Sequence, residues 1–152
     1  MKKICFVCHG NICRSPMGEY ILKHLLQKAG RGGEFEIVSR ATHDDEQING
    51  VGNPIYPPAQ RTLRAHGVPF EARHSTLLTA ADYDRYDLIL CMDDENMGRM
   101  RALFGGDPAG KCHKLMAYTG LGTDVADPWF TGEFETAYGD IEAACKKLVA
   151  ML

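Results

Sequence analysis

The sequence contains no apolar run that approaches the ~20 residues a transmembrane helix needs. The apolar run near the N-terminus is too short for the core of a signal peptide, and no small-residue cleavage site follows it. An excess of positive charge is also missing, because 17 basic residues face 20 acidic ones and the formal net charge is -3. A general nucleic-acid binder uses such an excess to neutralise phosphates. We therefore expect a cytoplasmic protein whose partners include neither nucleic acid nor a membrane.

The sequence shows no export signal of the kind that usually accompanies a framework of disulfide bonds. In a reducing compartment they are expected to be free thiols, so a functional cysteine would act through its reactivity. The six are Cys5, Cys8, Cys13, Cys91, Cys112 and Cys145. With 152 residues, 45% of them apolar, the chain suits one domain over residues 1–152 that buries roughly 70% of its unfolded surface. Such a core needs neither a disulfide nor a metal.

Apolar periodicity alternates between strand and helix along the chain. Short apolar or alternating runs predict four strands, at residues 3–8, 34–39, 87–92 and 111–116. Helical spacing predicts helices over about residues 16–30, 57–66, 95–104 and 134–152. This alternation predicts an α/β fold with a parallel four-stranded sheet, right-handed crossovers and helices on both faces. Because ligands bind beyond the carboxyl ends of such strands, the loop after the first strand is the first candidate site.

That loop has the sequence Cys8-His9-Gly10-Asn11-Ile12-Cys13-Arg14-Ser15-Pro16. Ser15 is predicted to be the N-cap of the following helix, and Pro16 to lie in its first turn. A strand, a tight loop and a helix N-terminus aim unpaired N–H groups at one point, where the helix dipole adds positive potential. Gly10 and Asn11 tolerate the left-handed backbone of such a cradle. The pattern predicts a phosphate-binding loop formed by His9, Gly10, Asn11, Ile12, Cys13 and Ser15.

Two side chains make this loop a candidate catalytic site. A thiol at a helix N-terminus, such as Cys8, can have its pKa lowered from ~8.5 into the range ~3.5–7.5 and react as a thiolate. Arg14 can hold two phosphoryl oxygens with its planar guanidinium, which the point charge of a lysine cannot do. The Ser15 hydroxyl can donate to the thiolate and later ease its departure from a phosphocysteine.

Four other interpretations of the loop account for fewer of its residues. A nucleotide-binding P-loop ends in Gly-Lys-Ser/Thr, which is missing here. A redox pair of Cys5 and Cys8 is disfavoured because residues three apart on a strand face opposite sides of the sheet. The same facing disfavours a zinc site from Cys5, Cys8, His9 and Cys13, which also lacks a second ligand pair. A merely packed cysteine leaves the Gly-Asn turn, Arg14 and the Ser-Pro helix start unexplained.

With these residues the chain resembles the low-molecular-weight protein tyrosine phosphatases. The resemblance begins with Cys8-x5-Arg14-Ser15 and covers nearly the whole chain. Farther along it includes Ser39, Asp87-Leu88-Ile89 with Met92-Asp93-Asp94, and Asp127-Pro128-Trp129-Phe130. It implies a phosphatase without metal or cofactor that acts on phosphotyrosine-containing proteins through a phosphocysteine and releases inorganic phosphate.

The resemblance assigns further roles near the C-terminus. It implies that Asp127 is the general acid that protonates the leaving tyrosine and then activates water. An Asp-Pro turn that joins a carboxylate to an aromatic wall suits this role on local grounds as well. Trp129 and Phe130 are implied to line a slot that fits a phenyl ring. The loop at residues 42–53 is slightly longer than is usual in the family and carries three consecutive acidic residues.

The resemblance also assigns residues that support the loop. Asn11 and Ser39 are implied to form a hydrogen-bonded pair that holds the loop in place. Cys13 is implied to be the second thiol that can trap oxidised Cys8 as a disulfide. Residues 73–76 break the pattern of a histidine and an arginine that the family often has there, so no role is assigned to His74.

Three alternative functions stay open at this stage. A protein-arginine phosphatase shares the fold, but its members tend to have threonine at the position of Ile12. An arsenate reductase has the same loop and needs a pair of relay cysteines, yet neither Cys91 nor Cys112 has a neighbour at relay spacing. A thiol redox sensor that uses Cys8 and Cys13 would leave the arginine and the Asp-Pro motif without a purpose.

Overall fold

A computed structural model describes residues 1–152 and contains six strands, six α-helices and two 3-10 turns. The strands are β1 (Lys2–Cys8), β2 (Phe35–Ala41), β3 (Gln47–Ile48), β4 (Val51–Gly52), β5 (Leu88–Cys91) and β6 (Cys112–Lys114). The helices are α1 (Arg14–Lys28), α2 (Pro57–Ala65), α3 (Asp82–Arg85), α4 (Asp94–Phe104), α5 (Pro128–Thr131) and α6 (Phe134–Met151). The 3-10 turns are Gly32–Glu34 and Leu115–Thr119.

Four strands form a parallel sheet in the order β2-β1-β5-β6. Strand β1 pairs with β2 along its whole length, from Lys2 opposite Phe35 to Cys8 opposite Ala41. Its other edge pairs with β5, so β1 is an inner strand with no free edge. A continuous apolar run suits that position, because an inner parallel strand is covered on both faces. The predicted α/β fold with four parallel strands is confirmed.

The two faces of the sheet bury separate apolar clusters. Ile4, Phe6 and Cys8 of β1 point into the larger cluster, which contains apolar residues of α1, α2 and α6. Cys5 and Val7 point to the opposite face, where they pack with residues of β5 and α4. This division follows from the two-residue period of a strand. It confirms that Cys5 and Cys8 lie on different sides of the sheet, and that helices cover both faces.

Close packing of α1 fixes the start of that helix at the end of β1. A Cβ atom added to Gly18 would lie 2.6 Å from the Cδ1 atom of Phe6, so only glycine allows α1 to approach β1 this closely. Helix α6 packs along α1 and buries its apolar face, which includes Ile141 and Leu148. The loop between β1 and α1 is therefore held between a buried strand and a buried helix.

Several predicted bounds need correction, and four short elements were not predicted. Strand β2 continues to Ala41, two residues past its predicted end, because it pairs with β1 up to Cys8. The fourth strand ends at Lys114, since the chain turns there into a 3-10 turn. The hairpin of β3 and β4 and the one-turn helices α3 and α5 were not predicted, because two to four residues carry no periodic signal. No helix combines the length and the apolarity that crossing a bilayer requires.

Candidate active site

The sulfur of Cys8 contacts the loop between β1 and α1 and the first turn of α1. The side chain is buried, and its Sγ atom lies 3.3 Å from the N–H nitrogen of Asn11 and 3.0 Å from the Oγ atom of Ser15. Four further N–H groups of the loop donate no hydrogen bond within the protein: those of His9, Gly10, Ile12 and Cys13. Free donors at the start of a helix favour an anion. The loop therefore has the form of the predicted phosphate cradle.

Helix α1 begins two residues earlier than expected. It starts at Arg14, and Cys13 precedes it without a side-chain cap. The prediction of Ser15 as the N-cap is therefore wrong, whereas Pro16 does lie in the first turn. The Ser15 hydroxyl instead turns into the loop, where it accepts a hydrogen bond of 2.7 Å from Asn11 Nδ2 and contacts Cys8. Because this hydroxyl does not cap the helix, it is available to hydrogen-bond with the Cys8 sulfur.

Asn11 and Gly10 shape the loop for different reasons. Asn11 has a φ of 59°, in the left-handed region that asparagine tolerates better than other side chains, as predicted. Gly10 is not in that region, so this part of the prediction is wrong. Space is tight at Gly10 instead, because a Cβ atom there would lie 3.0 Å from the Cγ atom of Glu46, and the Glu46 side chain would have to shift.

Arg73 links the two residues that were expected to form a direct pair. Its Nη2 atom donates to Asn11 Oδ1 at 2.6 Å and to Ser39 Oγ at 3.0 Å. The Ser39 hydroxyl in turn donates to Glu19 Oε1 at 2.6 Å. The expected Asn11–Ser39 hydrogen bond is therefore wrong, because a guanidinium lies between the two side chains. Arg73 was not among the predicted site residues, and it is 62 residues away from Asn11 along the chain.

Arg14 is buried beside the loop and anchored at one edge. Its Nη1 atom donates to Asp93 Oδ2 at 2.7 Å and to the Val125 carbonyl at 2.9 Å, and its Nη2 atom lies 3.4 Å from Asp127 Oδ2. Burial disfavours the charged form of Arg14. The electrostatic interactions with Cys8, Asp127 and Asp93 and the hydrogen bond to Asp93 outweigh that effect, so the pKa of Arg14 is raised. Arg14 is thus a fixed cation next to the sulfur.

Asp127 caps the short helix α5 and faces Arg14. Its Oδ1 atom accepts a hydrogen bond of 3.1 Å from the backbone N–H of Trp129, and its Oδ2 atom faces the guanidinium of Arg14. The cap ties the carboxylate to the aromatic residues that follow it. Trp129 is half exposed and Phe130 is mostly exposed, so both present apolar surface to solvent. The ring of Tyr56 packs against Trp129 with a centroid distance of 4.6 Å, a support that the sequence did not predict.

A cavity of about 270 Å³ joins the loop to this aromatic wall. Eight residues line it: His9, Gly10, Ile12, Asp45, Glu46, Asp127, Trp129 and Phe130. Its lining comes from the loop, from α5 with the Asp127 that precedes it, and from the acidic segment before β3. The structure therefore brings the predicted acid and aromatic residues to the loop that follows Cys8, although Cys8 and Arg14 are not themselves among the lining residues.

His9 has its side chain at the rim of the cavity. Its Nδ1 atom lies 3.1 Å from Glu95 Oε1, its Nε2 atom bonds Asp45, and its ring stacks on His43 at 3.8 Å. Burial disfavours the imidazolium, but the hydrogen bonds to Asp45 and Glu95 outweigh it and raise the pKa of His9. The ligand atoms of His9, His43 and Glu95 lie within 4.8 Å of one another. A nitrogen lone pair lies in the plane of its imidazole ring, so the lone pairs of the stacked His9 and His43 rings lie in two parallel planes and do not converge on one point. The group therefore suits a hydrogen-bonded imidazolium better than a metal ion.

Cys13 lies in the same loop as Cys8 and is also buried. Burial raises the pKa of the Cys13 thiol strongly, and the nearby Cys8 and Asp127 add to the shift while Arg14 opposes it. Cys13 is therefore a protonated thiol at neutral pH. All six cysteines of the chain are free.

The fold and the loop together define a class of phosphatase, and a comparison of sequences agrees. The model of the family described as "Low molecular weight phosphotyrosine protein phosphatase" matches residues 3–152. The chain belongs to this family of cysteine-dependent protein tyrosine phosphatases. The predicted family and activity are confirmed, and the arginine phosphatase, arsenate reductase and redox sensor are not favoured.

Individual relatives are similar over almost their whole length. The low molecular weight protein-tyrosine-phosphatase YfkJ of Bacillus subtilis is 35% identical over 156 residues, which cover 100% of this chain and 96% of YfkJ. Its crystal structure superposes with a TM-score of 0.91 at 34% identity, covering 99% of this chain and 94% of the other. PtpA of Staphylococcus aureus, another low molecular weight protein-tyrosine-phosphatase, is 32% identical over 150 residues, covering 98% of this chain and 92% of PtpA.

Proposed function

We propose that Cys8 is the nucleophile of this phosphatase and carries the phosphoryl group as a phosphocysteine. One observation carries the proposal: the Cys8 sulfur lies 3.3 Å from the Asn11 N–H nitrogen and 3.0 Å from the Ser15 Oγ atom, in a loop whose other four N–H groups donate no hydrogen bond within the protein. The thiolate attacks phosphorus, so that a P–S bond forms while the P–O bond to tyrosine breaks. The free N–H groups of the loop bind the oxygens of the transferred phosphoryl group, whose charge they stabilise.

Arg14 orients the phosphoryl group. Asp93 and Val125 hold its Nη1 atom, which leaves the edge formed by Nε and Nη2 for two equatorial oxygens. The only hydrogen bond at that edge is the long one to Asp127. A planar pair of donors matches two oxygens of a phosphoryl group and stabilises the charge they carry in the transition state.

Asp127 transfers protons in both steps. In the first step it donates its proton to the departing phenolate oxygen of tyrosine. In the second step water attacks phosphorus and gives a proton to the Asp127 carboxylate. The P–S bond breaks, inorganic phosphate is released, and Cys8 returns to the thiolate form. The proton taken from water returns Asp127 to its protonated form, so the charges balance. The position of Asp127 at the cavity wall, within reach of Arg14, supports this assignment.

The substrates are proteins that contain phosphotyrosine. Trp129 and Phe130 present apolar surface beside the cavity, which suits a phenyl ring, and Asp127 is tied to them by its cap. A phosphoserine stem is too short to place its phosphorus at the Cys8 sulfur while its backbone stays outside this wall. A cytoplasmic location also belongs to the proposal, and the six free cysteines support it because such thiols persist in a reducing compartment.

The test compares the release of inorganic phosphate from matched peptides that contain phosphotyrosine, phosphoserine or phosphoarginine, with EDTA present. We expect kcat/KM for phosphotyrosine to exceed the other two by about 100-fold or more and EDTA to have no effect. The control is Cys8→Ser, which should release no phosphate yet still bind inorganic phosphate or vanadate. Turnover by Cys8→Ser would refute the covalent mechanism, and a preference for phosphoarginine would refute the substrate assignment.

A further inference from the structure

Arg73 contacts the loop from outside and does not line the cavity. Its Nη1 atom donates to the Asn11 carbonyl oxygen at 2.7 Å, and its Nη2 atom donates to Asn11 Oδ1 at 2.6 Å. One guanidinium thus holds both the backbone and the side chain of Asn11, the residue whose φ of 59° shapes the loop. We propose that Arg73 is a positioning residue that fixes the direction of the hydrogen bonds ending at the Cys8 sulfur. The inference rests on the proposed role of Cys8 as the nucleophile.

The donors and acceptors around Asn11 and Ser15 determine which way the hydrogen bonds to the Cys8 sulfur run. Asn11 Oδ1 receives two hydrogen bonds, from Arg73 and from the Thr76 N–H at 3.0 Å. The amide oxygen must therefore face these donors, and the Nδ2 group must face Ser15 Oγ, 2.7 Å away. Because Ser15 Oγ accepts from Nδ2, its own hydrogen is left to donate to the Cys8 sulfur. A hydroxyl that donates stabilises the thiolate, whereas one that accepts from a thiol would not.

The charge of Arg73 strengthens this chain of hydrogen bonds. A cation at Oδ1 withdraws electron density from the amide and makes its N–H a better donor to Ser15, and Ser15 in turn becomes a better donor to sulfur. Thr76 supplies a neutral donor alone, so it cannot replace that effect. A guanidinium stays protonated far above neutral pH, so the direction does not reverse in the working range of the enzyme.

A buried carboxylate balances the charge of Arg73 on its other side. Arg73 donates to Ser39 Oγ, and the Ser39 hydroxyl donates to Glu19 Oε1 at 2.6 Å. Glu19 is buried and also accepts from Lys23 at 2.6 Å. The guanidinium is therefore held from both sides, towards Glu19 through Ser39 and towards Cys8 through Asn11. Its three acceptors lie in a fixed arrangement that a lysine ammonium cannot match in full.

The experiment compares Arg73→Met and Arg73→Lys with the wild type on an aryl phosphate. Hydrogen bonds to charged groups are worth roughly 1.5–3 kcal/mol, which corresponds to about 10–100-fold in rate. We expect kcat to fall by about this factor in Arg73→Met and by a smaller factor in Arg73→Lys. The inhibition constant of inorganic phosphate should change less than about threefold, because the cradle and Arg14 remain. The rate at which iodoacetate alkylates Cys8 at pH 6 should fall together with kcat.

Arg40→Met is the matched control. Arg40 is a second part-buried arginine that donates to the Ser39 carbonyl and to the Tyr86 hydroxyl, with no hydrogen bond to Asn11. Its loss removes a nearby positive charge from β2, so it tests whether charge alone matters. We expect kcat and the alkylation rate of Arg40→Met to stay within about threefold of the wild type. Equal losses in Arg40→Met and Arg73→Met would overturn the proposal in favour of a general electrostatic effect.

Chemical rescue separates positioning from folding. Methylguanidinium added to Arg73→Gly should restore kcat partly, with equal concentrations of sodium chloride as the control, since a misfolded loop would not respond. If Arg73→Gly does not fold, the kcat and alkylation rate of Arg73→Lys decide the question. Values of kcat within twofold of the wild type in the folded Arg73 variants would overturn the inference. The proposed function would survive that result, because it depends on Cys8→Ser and on the peptide comparison.

Discussion

The Sγ atom of Cys8 and the Oγ atom of Ser15 lie 3.0 Å apart inside the loop. Because Ser15 accepts from Asn11, its hydroxyl hydrogen is directed at the sulfur. We predict that Ser15→Ala lowers kcat by about tenfold or more, since a hydrogen bond to a charged group is lost. The step most affected should be the departure of the thiolate from the phosphocysteine. Pre-steady-state release of nitrophenol would then show a larger burst than in the wild type, and an unchanged kcat would contradict the role of the hydroxyl.

The guanidinium of Arg14 should be irreplaceable by an ammonium. We predict that Arg14→Lys keeps a positive charge beside Asp93 but lowers kcat/KM by about 10²–10³-fold, as expected when a donor to the transition state is lost. The kcat/KM for nitrophenyl phosphate measures this loss. Arg99→Lys, on the exposed side of α4, is the control and should leave the rate unchanged. Near-normal rates in Arg14→Lys would mean that charge alone accounts for the function of Arg14.

The sequence predicted those parts of the site that are local in the chain. Cys8, Arg14 and Ser15 fall within eight residues between a strand and a helix, so strand, loop and helix signals locate them together. The support from Arg73 and Tyr56 could not be predicted in this way, because both reach the site from distant loops through tertiary packing. The N-cap at Ser15 was wrong for a related reason. A serine before a proline suits a cap, but the hydrogen bond from Asn11 and the contact with Cys8 take its hydroxyl.

Cys13 should protect the enzyme against irreversible oxidation. Peroxide converts the Cys8 thiolate to a sulfenic acid, which the Cys13 thiol can attack to form a disulfide and water. We predict that dithiothreitol restores most of the activity of peroxide-treated wild type and much less of the activity of Cys13→Ser, in which Cys8 is oxidised further. Recovered activity and the mass of the loop peptide measure the difference. Equal recovery in both proteins would show that Cys13 is only a packed thiol.

His9 should make the stability of the protein depend on pH. Burial opposes its charge, but the hydrogen bonds to Asp45 and Glu95 raise the pKa of His9 in the folded protein. Its stabilising contribution is therefore fully present below the pKa of histidine in the unfolded chain, ~6.5, and is lost as the pH rises through the folded pKa.

We predict that His9→Gln lowers the free energy of unfolding at pH 5.5 and changes it little at pH 9. Urea denaturation at both values measures the difference. The control is His24→Gln, since His24 lies on α1 away from these carboxylates and should show no such difference between the two values. Equal destabilisation of His9→Gln at both values would mean that packing on His43, and not charge, holds His9 in place.

The effect of Asp127 on the rate should increase with the pKa of the leaving group. We predict that Asp127→Asn lowers kcat/KM about 10²–10⁴-fold for phosphotyrosine and phenyl phosphate, whose oxygens leave poorly without a proton. Activated aryl phosphates, whose phenolates leave unaided, should lose much less. Asparagine is the sharpest replacement because its side-chain oxygen can still accept from the Trp129 N–H, so the aromatic wall stays in position.

The measurement is the ratio of kcat/KM between Asp127→Asn and the wild type over aryl phosphates of differing leaving-group pKa. Asp124→Asn is the control, because Asp124 pairs with Lys114 and does not contact Arg14. The same carboxylate should act as the base in the second step, so a phosphoenzyme should accumulate on Cys8 in Asp127→Asn when the leaving group is good. A ratio near one across the whole series would remove Asp127 from the mechanism. The acid would then have to be Asp93, the other carboxylate that contacts Arg14.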